Sequence, residues 1–257
     1  YSFSKEAFLK FSDYQIETVV HLGWYVPISG QEGVKAGLVE ALYNTIHLLN
    51  NLPSRPKRIV YCSSVSVYGR FKDVRFHRSS DMDENSHVQP DDEYSQSKYI
   101  GELIVKDWCI RNDIECLILR VGPTYGPGDK RNSEFVGRIM QQALRNEEIR
   151  LFADPSMRRN LVFVDDLCRF IANAIDISNK AELINLVSDN NPSMIEIINS
   201  IVEQANSQSK VSIIKGDYFG RDFAFSSSKR KEYLGTERYT LDEGIKMTLK
   251  ALKDRNG

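Results

Sequence analysis

The sequence has no uninterrupted apolar run of about eighteen residues or more, so it offers no helix for a bilayer, and its first residues lack the charged-then-apolar order of a secretory signal. Charge of either sign is not in excess: 34 Lys and Arg stand against 35 Asp and Glu, interspersed, for a net charge of −1. That balance removes the electrostatic argument for nucleic acid or an anionic membrane as partner. Cysteine is scarce. Cys62, Cys109, Cys116 and Cys168 form no Cys-x-x-Cys pair and have no histidine at zinc spacing, so no metal site is expected, and buried, reduced thiols in a cytoplasmic protein are the simplest reading. Glycines never fall in a Gly-x-x-Gly-x-x-Gly order, and neither internal repeats nor low-complexity tracts occur. What remains, 257 residues of which 41% are apolar, is enough for one sizeable core or for a large domain plus a small one.

Short β-branched apolar runs alternate with longer amphipathic ones, the pattern of a parallel sheet flanked by helices. Strands are expected at Thr18 to Leu22, Arg58 to Ser63, Cys116 to Val121 and Leu183 to Val187, with crossover helices over Val34 to Asn50 and Glu93 to Arg111. Between them, Arg70 to Asp92 has no helical or strand period, carries many charges together with His77 and His87, and reads as a long solvated loop. Beyond Pro127, helices are expected at Ser133 to Arg145, Asp165 to Ile177, Met194 to Ala205 capped by Ser193, and Leu241 to Leu252 opened by Thr240. The expected fold class is thus α/β: a Rossmann-like doubly wound parallel sheet in residues 1–130 and a smaller mixed lobe in 131–257, from which Leu161 to Asp176 and Leu183 to Val187 return to the first domain.

The chemistry concentrates in Tyr94-Ser-Gln-Ser-Lys98, which follows Cys62-Ser-Ser-Val-Ser-Val-Tyr-Gly69. At i and i+4 of a helix, Tyr94 and Lys98 share one face. A neighbouring ammonium favours the phenolate and suits Tyr94 to proton transfer, while Ser64, at the end of a buried strand, can hydrogen-bond the same substrate oxygen. Taken alone, Tyr-x-x-x-Lys also fits a half-buried ring beside a solvated lysine, and Ser64 also fits a capping serine.

The order of motifs resembles the extended short-chain dehydrogenase/reductase family, the nucleotide-sugar epimerase and dehydratase branch, over nearly the whole chain. Thr18-Val-Val-His-Leu-Gly23 is similar to its fourth strand and Arg58-Ile-Val-Tyr-Cys-Ser-Ser64 to its fifth. Leu119-Arg-Val-Gly-Pro-Thr-Tyr-Gly-Pro-Gly-Asp129 and Arg159-Asn-Leu-Val-Phe-Val-Asp-Asp166 resemble two later family segments. The resemblance implies catalytic roles for Ser64, Tyr94 and Lys98, and a cofactor site of Leu22, Gly23, Tyr94 and Lys98 for NAD, with NADP possible. It also implies a nucleotide-sugar substrate held by Asn132, Phe152, Arg159 and Arg221, with a homodimer formed through the Val34 to Asn50 and Tyr94 to Arg111 helices. The glycine fingerprint that cradles the pyrophosphate is expected to precede Tyr1, within roughly sixty residues of family pattern, with Ser4 to Asp13 as the helix before the first strand seen here.

Two departures mark this chain. Pro123 stands where the family has an asparagine after Arg120, and Ala41 where a helix asparagine is usual. Positions 65 and 66, which carry the acid and base of the dehydratases, are Val and Ser. Asp165 and Asp166 read simply as carboxylates favoured at a helix start. The expectation is an NAD(P)-dependent nucleotide-sugar epimerase; a nucleotide-sugar 4-ketoreductase and a non-catalytic member kept for binding remain open beside it.

Overall fold

In the computed structural model the described residues are 14–25, 34–69, 80–128, 135–177 and 182–256. Asn132, His77 and the Ser4 to Asp13 helix lie outside them. In chain order the elements are β1 (Thr18–His21), α1 (Val34–Asn50), β2 (Arg58–Ser64), a 3-10 turn (Val65–Tyr68), α2 (Glu93–Asn112), β3 (Glu115–Val121) and β4 (Thr124–Tyr125). They continue with α3 (Phe135–Leu144), β5 (Ile149–Leu151), β6 (Val162–Phe163), α4 (Val164–Ile175), β7 (Leu183–Leu186), α5 (Met194–Ala205), β8 (Val211–Ile213), α6 (Ser228–Leu234) and α7 (Leu241–Asn256). Two compact units result: Tyr1–Gly69, Ser86–Val121 and Asn173–Ile184 contribute to the first, and Arg70–Asn85, Gly122–Ala172 and Asn185–Gly257 to the second. Of the stretches expected to return to the first domain, residues 173–176 and 183–184 fall in unit 1, and residues 161–172 and 185–187 in unit 2.

Unit 1 carries the sheet, in the order β1-β2-β3-β7. β1 and β3 both pair in parallel with β2, Thr18 opposite Arg58 on one side and Arg58 opposite Glu115 on the other. This is the α/β parallel sheet expected. β2 reads as a continuous apolar run because it is covered on both faces: Ile59, Val60 and Tyr61 have no exposed surface, and Leu49, Val105, Cys109 and Ile118 pack in the same cluster as Ile59 and Tyr61. The Arg58 guanidinium pairs with Glu115 and donates to the carbonyls of Ile175 and Ile177, satisfying acceptors that the end of α4 leaves open.

Unit 2 is built on α3, α5 and α7 around Met140, Ile149, Met157, Ile197, Ile201 and Ile245, with two short parallel ladders, β4 with β6 and β5 with β8. Asp166 stands in the first turn of α4 as expected, and the structure adds partners to it. Its carboxylate is fully buried and accepts from Arg169 Nη2 (2.7 Å), the Arg238 amide (2.9 Å) and the Tyr239 amide (3.2 Å), so it anchors the chain entering α7 instead of merely facing a helix dipole. The loop expectation is corrected in part. Met82 is buried and exchanges backbone hydrogen bonds with Ala224 and Ser226, and Glu84 accepts from the Asn185 amide, so this end of the segment is tied down, whereas His87 is exposed. Among the cysteines, Cys62 and Cys109 are buried as expected; Cys116 is half-buried and Cys168 lies on the exposed side of α4.

Candidate active site

Leu22 and Gly23 follow β1 and Ser64 ends β2, at the carboxyl edge where open parallel sheets bind ligands, and Tyr94 and Lys98 lie in the first two turns of α2. β2 ends at Ser64, whose extended backbone (φ −145°, ψ 145°) caps the 3-10 turn: its Oγ accepts from the Ser66 amide (3.1 Å) and from Ser66 Oγ (2.9 Å). Ser64 is half-buried, so the capping role and access to its hydroxyl coexist. Helix α2 starts where it does because Asp92 caps it. The Asp92 carboxylate accepts from the Ser95 amide (2.7 Å) and Ser95 Oγ accepts from the Asp92 amide (3.1 Å), a reciprocal box that sets Tyr94 in the first turn and Lys98 in the second. Tyr94 is half-buried.

Lys98 is not a solvated lysine. It is 4% exposed; its Nζ donates to the Cys62 carbonyl (2.7 Å) and lies 4.5 Å from the Trp24 ring centroid and 5.5 Å from that of Tyr61. Burial pushes its pKa down to about 7, with Cys62 and Glu102 offsetting only part of the loss. The box that encloses it is tightly built. The Trp24 indole lies edge-on to the Tyr61 ring, the Tyr61 hydroxyl reaches the Lys98 carbonyl, and a side chain at Gly101 would collide with both rings. His21 closes the cluster from β1. Thr45 Oγ1 gives its proton to the Ala41 carbonyl, so the 2.9 Å contact between His21 Nε2 and Thr45 Oγ1 places the imidazole proton on Nε2. Burial, then the charge of Lys98, holds His21 down to about 4, a neutral ring throughout the physiological range.

Beyond the box, Leu22 is 58% exposed although apolar, and Gly23 beside it is exposed with only the His21 ring near its missing side chain. One turn past Lys98, buried Glu102 accepts from Ser63 Oγ (2.5 Å) and from Arg120 Nε and Nη2 (3.0 and 2.8 Å). Burial works against the Arg120 charge, but Glu102 outweighs it and raises the guanidinium pKa further.

The expected substrate residues Phe152, Arg159 and Arg221 belong to unit 2. Phe152 follows β5 and is 73% exposed. Arg159 pairs backbone-to-backbone with Phe223, and its guanidinium donates to the carbonyls of Arg158 (2.8 Å) and Arg221 (3.4 Å) and to Met157 Sδ (2.7 Å), which brings Arg159 and Arg221 together. Asp222, the residue after Arg221, is fully buried and clamps Arg158 through its amide and Nε. Trp24, His21 and Glu102 were not among the expected site residues. Glu102 had a signal, its i+4 spacing from Lys98; Trp24 had none beyond adjacency to Gly23. Among the described residues no group of three His, Cys, Asp or Glu side chains could hold a metal ion, and no helix is long and apolar enough to cross a membrane.

Residues 4–187 match the family model for the NAD dependent epimerase/dehydratase family. The chain belongs to that family. The matched stretch contains Ser64, Tyr94, Lys98, Phe152 and Arg159 and stops short of Arg221. A Methanocaldococcus jannaschii protein provisionally named UDP-glucose 4-epimerase is 26% identical over 252 residues, covering 94% of this chain and 78% of the relative. A dTDP-glucose 4,6-dehydratase of Xanthomonas campestris is 23% identical over 205 residues, covering 75% of this chain; the chain spans 56% of its length. In fold, the chain is similar to the UDP-glucuronic acid 4-epimerase of Bacillus cereus in complex with UDP-glucuronic acid and NAD, with a TM-score of 0.80 at 20% identity over 98% of this chain and 78% of that one. The sheet of unit 1 is therefore a Rossmann-type sheet.

Proposed function

We propose that this protein is an NAD-dependent epimerase acting on a nucleotide-linked sugar, with Ser64, Tyr94 and Lys98 as its catalytic group. The observation that carries the reading is the placement of Tyr94 and Lys98 on one face of α2, with Lys98 bonded to the Cys62 carbonyl two residues before Ser64. Leu22, Gly23, Tyr94 and Lys98 would hold the nicotinamide end of NAD, which when bound supplies the hydride acceptor. Tyr94 takes the proton of the reacting sugar hydroxyl, and Ser64 holds the same oxygen. Lys98, buried beside them, favours the phenolate of Tyr94 when protonated; with its own pKa near 7, that help is itself pH-dependent. Phe152, Arg159, Arg221 and Asn132 are assigned to the nucleotide and diphosphate, for which a guanidinium fork is suited.

The relatives include both an epimerase and a dehydratase, so similarity does not choose the chemistry. The residues after Ser64 favour redox at one carbon, because Val65 and Ser66 supply no second ionisable group. Two apolar faces support a homodimer: Val39, Tyr43 and Ile46 lie exposed on one side of α1, and Ile100, Leu103 and Ile110 on one side of α2.

The test is Tyr94→Phe in the full-length protein, assayed for interconversion of UDP-glucose and UDP-glucuronic acid with their 4-epimers. Turnover should disappear while the circular dichroism spectrum and melting temperature hold, because only the hydroxyl is lost. Undiminished turnover would sink the mechanism. Stoichiometric consumption of free NADPH by the wild type, with no NAD carried through purification, would favour the ketoreductase instead.

A further inference from the structure

Tyr94, Lys98 and Glu102 succeed one another at intervals of four on α2 and so share a face. The first two are assigned chemistry; Glu102 is as buried as Lys98 and is wholly engaged. Its Oε1 accepts from Ser63 Oγ (2.5 Å) and Arg120 Nε (3.0 Å), and its Oε2 from Arg120 Nη2 (2.8 Å). Ser63 and Arg120 are register partners on β2 and β3, one step before the pair Ser64 and Val121 that closes the ladder. The Arg120 guanidinium in turn lies 4.8 Å from the ring centroid of Tyr68, in the 3-10 turn that Ser64 caps. One carboxylate thus ties the helix bearing Tyr94 and Lys98 to both strands and, through Arg120, to the turn behind Ser64.

We infer that Glu102 is the positioning residue of this site: it pins α2 against the carboxyl ends of β2 and β3 and thereby fixes Tyr94 and Lys98 relative to Ser64. The inference rests on the reading proposed for Ser64, Tyr94 and Lys98. Glu102 also acts on the lysine through space, as one of the two groups that favour the Lys98 charge. The other groups around Lys98 are His21 on β1, Tyr61 and Cys62 on β2 and Trp24 after β1, with Arg120 behind Glu102. Burial holds the Cys62 thiol up at about 11 and raises Tyr61 as well, and among these groups Glu102 is the carboxylate.

The experiment uses the full-length protein and four variants, with kcat, KM, melting temperature and the Lys98 titration followed by NMR of the lysine ε-carbon, assigned by loss in Lys98→Met. Glu102→Gln leaves a buried guanidinium unpaired and weakens the fold, whereas Glu102→Met with Arg120→Met removes both charges and restores it. The Lys98 titration should move to lower pH in Glu102→Gln. The double variant should recover the wild-type melting temperature but keep a kcat reduced about 10- to 100-fold, with KM within about threefold, as for a misplaced catalytic group. An unmoved Lys98 titration in Glu102→Gln overturns the inference, as does a double variant in which melting temperature and kcat both return. Should the double variant fail to fold, Ser63→Ala decides, because it cuts one tie and leaves the ion pair whole: reduced kcat at unchanged melting temperature supports positioning, and unchanged kcat refutes it. A wild-type protein without turnover, combined with a shifted Lys98 titration in Glu102→Gln, would count against the proposed reaction and for the link from Glu102 to Lys98.

Discussion

Lys98 and His21 are buried bases that the fold holds neutral more readily than water does, and each carries a stability signature. The folded pKa of Lys98, about 7, lies below its ordinary 10.5, so between those values the unfolded chain binds the proton that the folded chain has released. Stability should therefore rise as pH climbs from about 7 to 10.5, by a few kcal/mol on the order set by the shift. His21 acts in the same direction lower down: with a folded pKa of about 4 against 6.5, it adds stability as pH rises through that window and withdraws it as pH falls. Urea unfolding across a pH series should show both rises, and Lys98→Met should flatten the upper one alone; an upper rise that survives in Lys98→Met would refute the assignment. Gly101 invites a second measurement. In an exposed helix Gly→Ala gains up to about 1 kcal/mol, but here the new carbon meets Tyr61 and Trp24, so Gly101→Ala should cost about 1–3 kcal/mol in chemical denaturation.

At the scale of elements, the segment after β2 carries the test between the proposed chemistries. Val65 and Ser66 are both 1% exposed in the 3-10 turn, and Ser66 is committed to Ser64 through its amide and hydroxyl. No acid or base is available there to eliminate water, so incubation with nucleotide-hexoses should yield no product lighter by one water in mass spectrometry. Accumulation of a 4-keto-6-deoxy sugar nucleotide would show the exclusion to be mistaken. Element boundaries were largely legible beforehand: α1 and α5 occupy the residues expected, and β1 to β3 end within a residue of expectation. The signals are local there, with β-branched runs for the strands and Ser193 with Glu196 boxing the start of α5. The ladders β4, β5 and β8 were not legible. At two or three residues they have no period to read, and each exists only because a distant partner supplies its hydrogen bonds.

For the whole molecule, the exposed apolar faces of α1 and α2 predict an assembly that can be taken apart. Tyr43→Glu combined with Leu103→Glu places charge on residues 64% and 52% exposed, so the monomer fold should persist while sedimentation shifts from dimer to monomer. A wild type that sediments as a monomer at micromolar concentration would remove the homodimer from the proposal.

The sequence by itself determined the α/β class, the family, and the order Ser64, Tyr94, Lys98, because periodicity, caps and motif spacing are properties of neighbouring residues. Only the tertiary structure decided what surrounds those residues. Lys98 reads in sequence as the helical partner of Tyr94, and nothing near it announces that Trp24 and Tyr61 enclose its ammonium or that the Cys62 carbonyl accepts its hydrogen bond. Glu102 shows in sequence only its i+4 spacing from Lys98, and its role waits until β2 and β3 bring Ser63 and Arg120 to it. Burial and ion pairing depend on residues tens of positions away, which meet only when the strands pair, and it is those meetings that set the charge of Lys98 and the place of the helix that carries it.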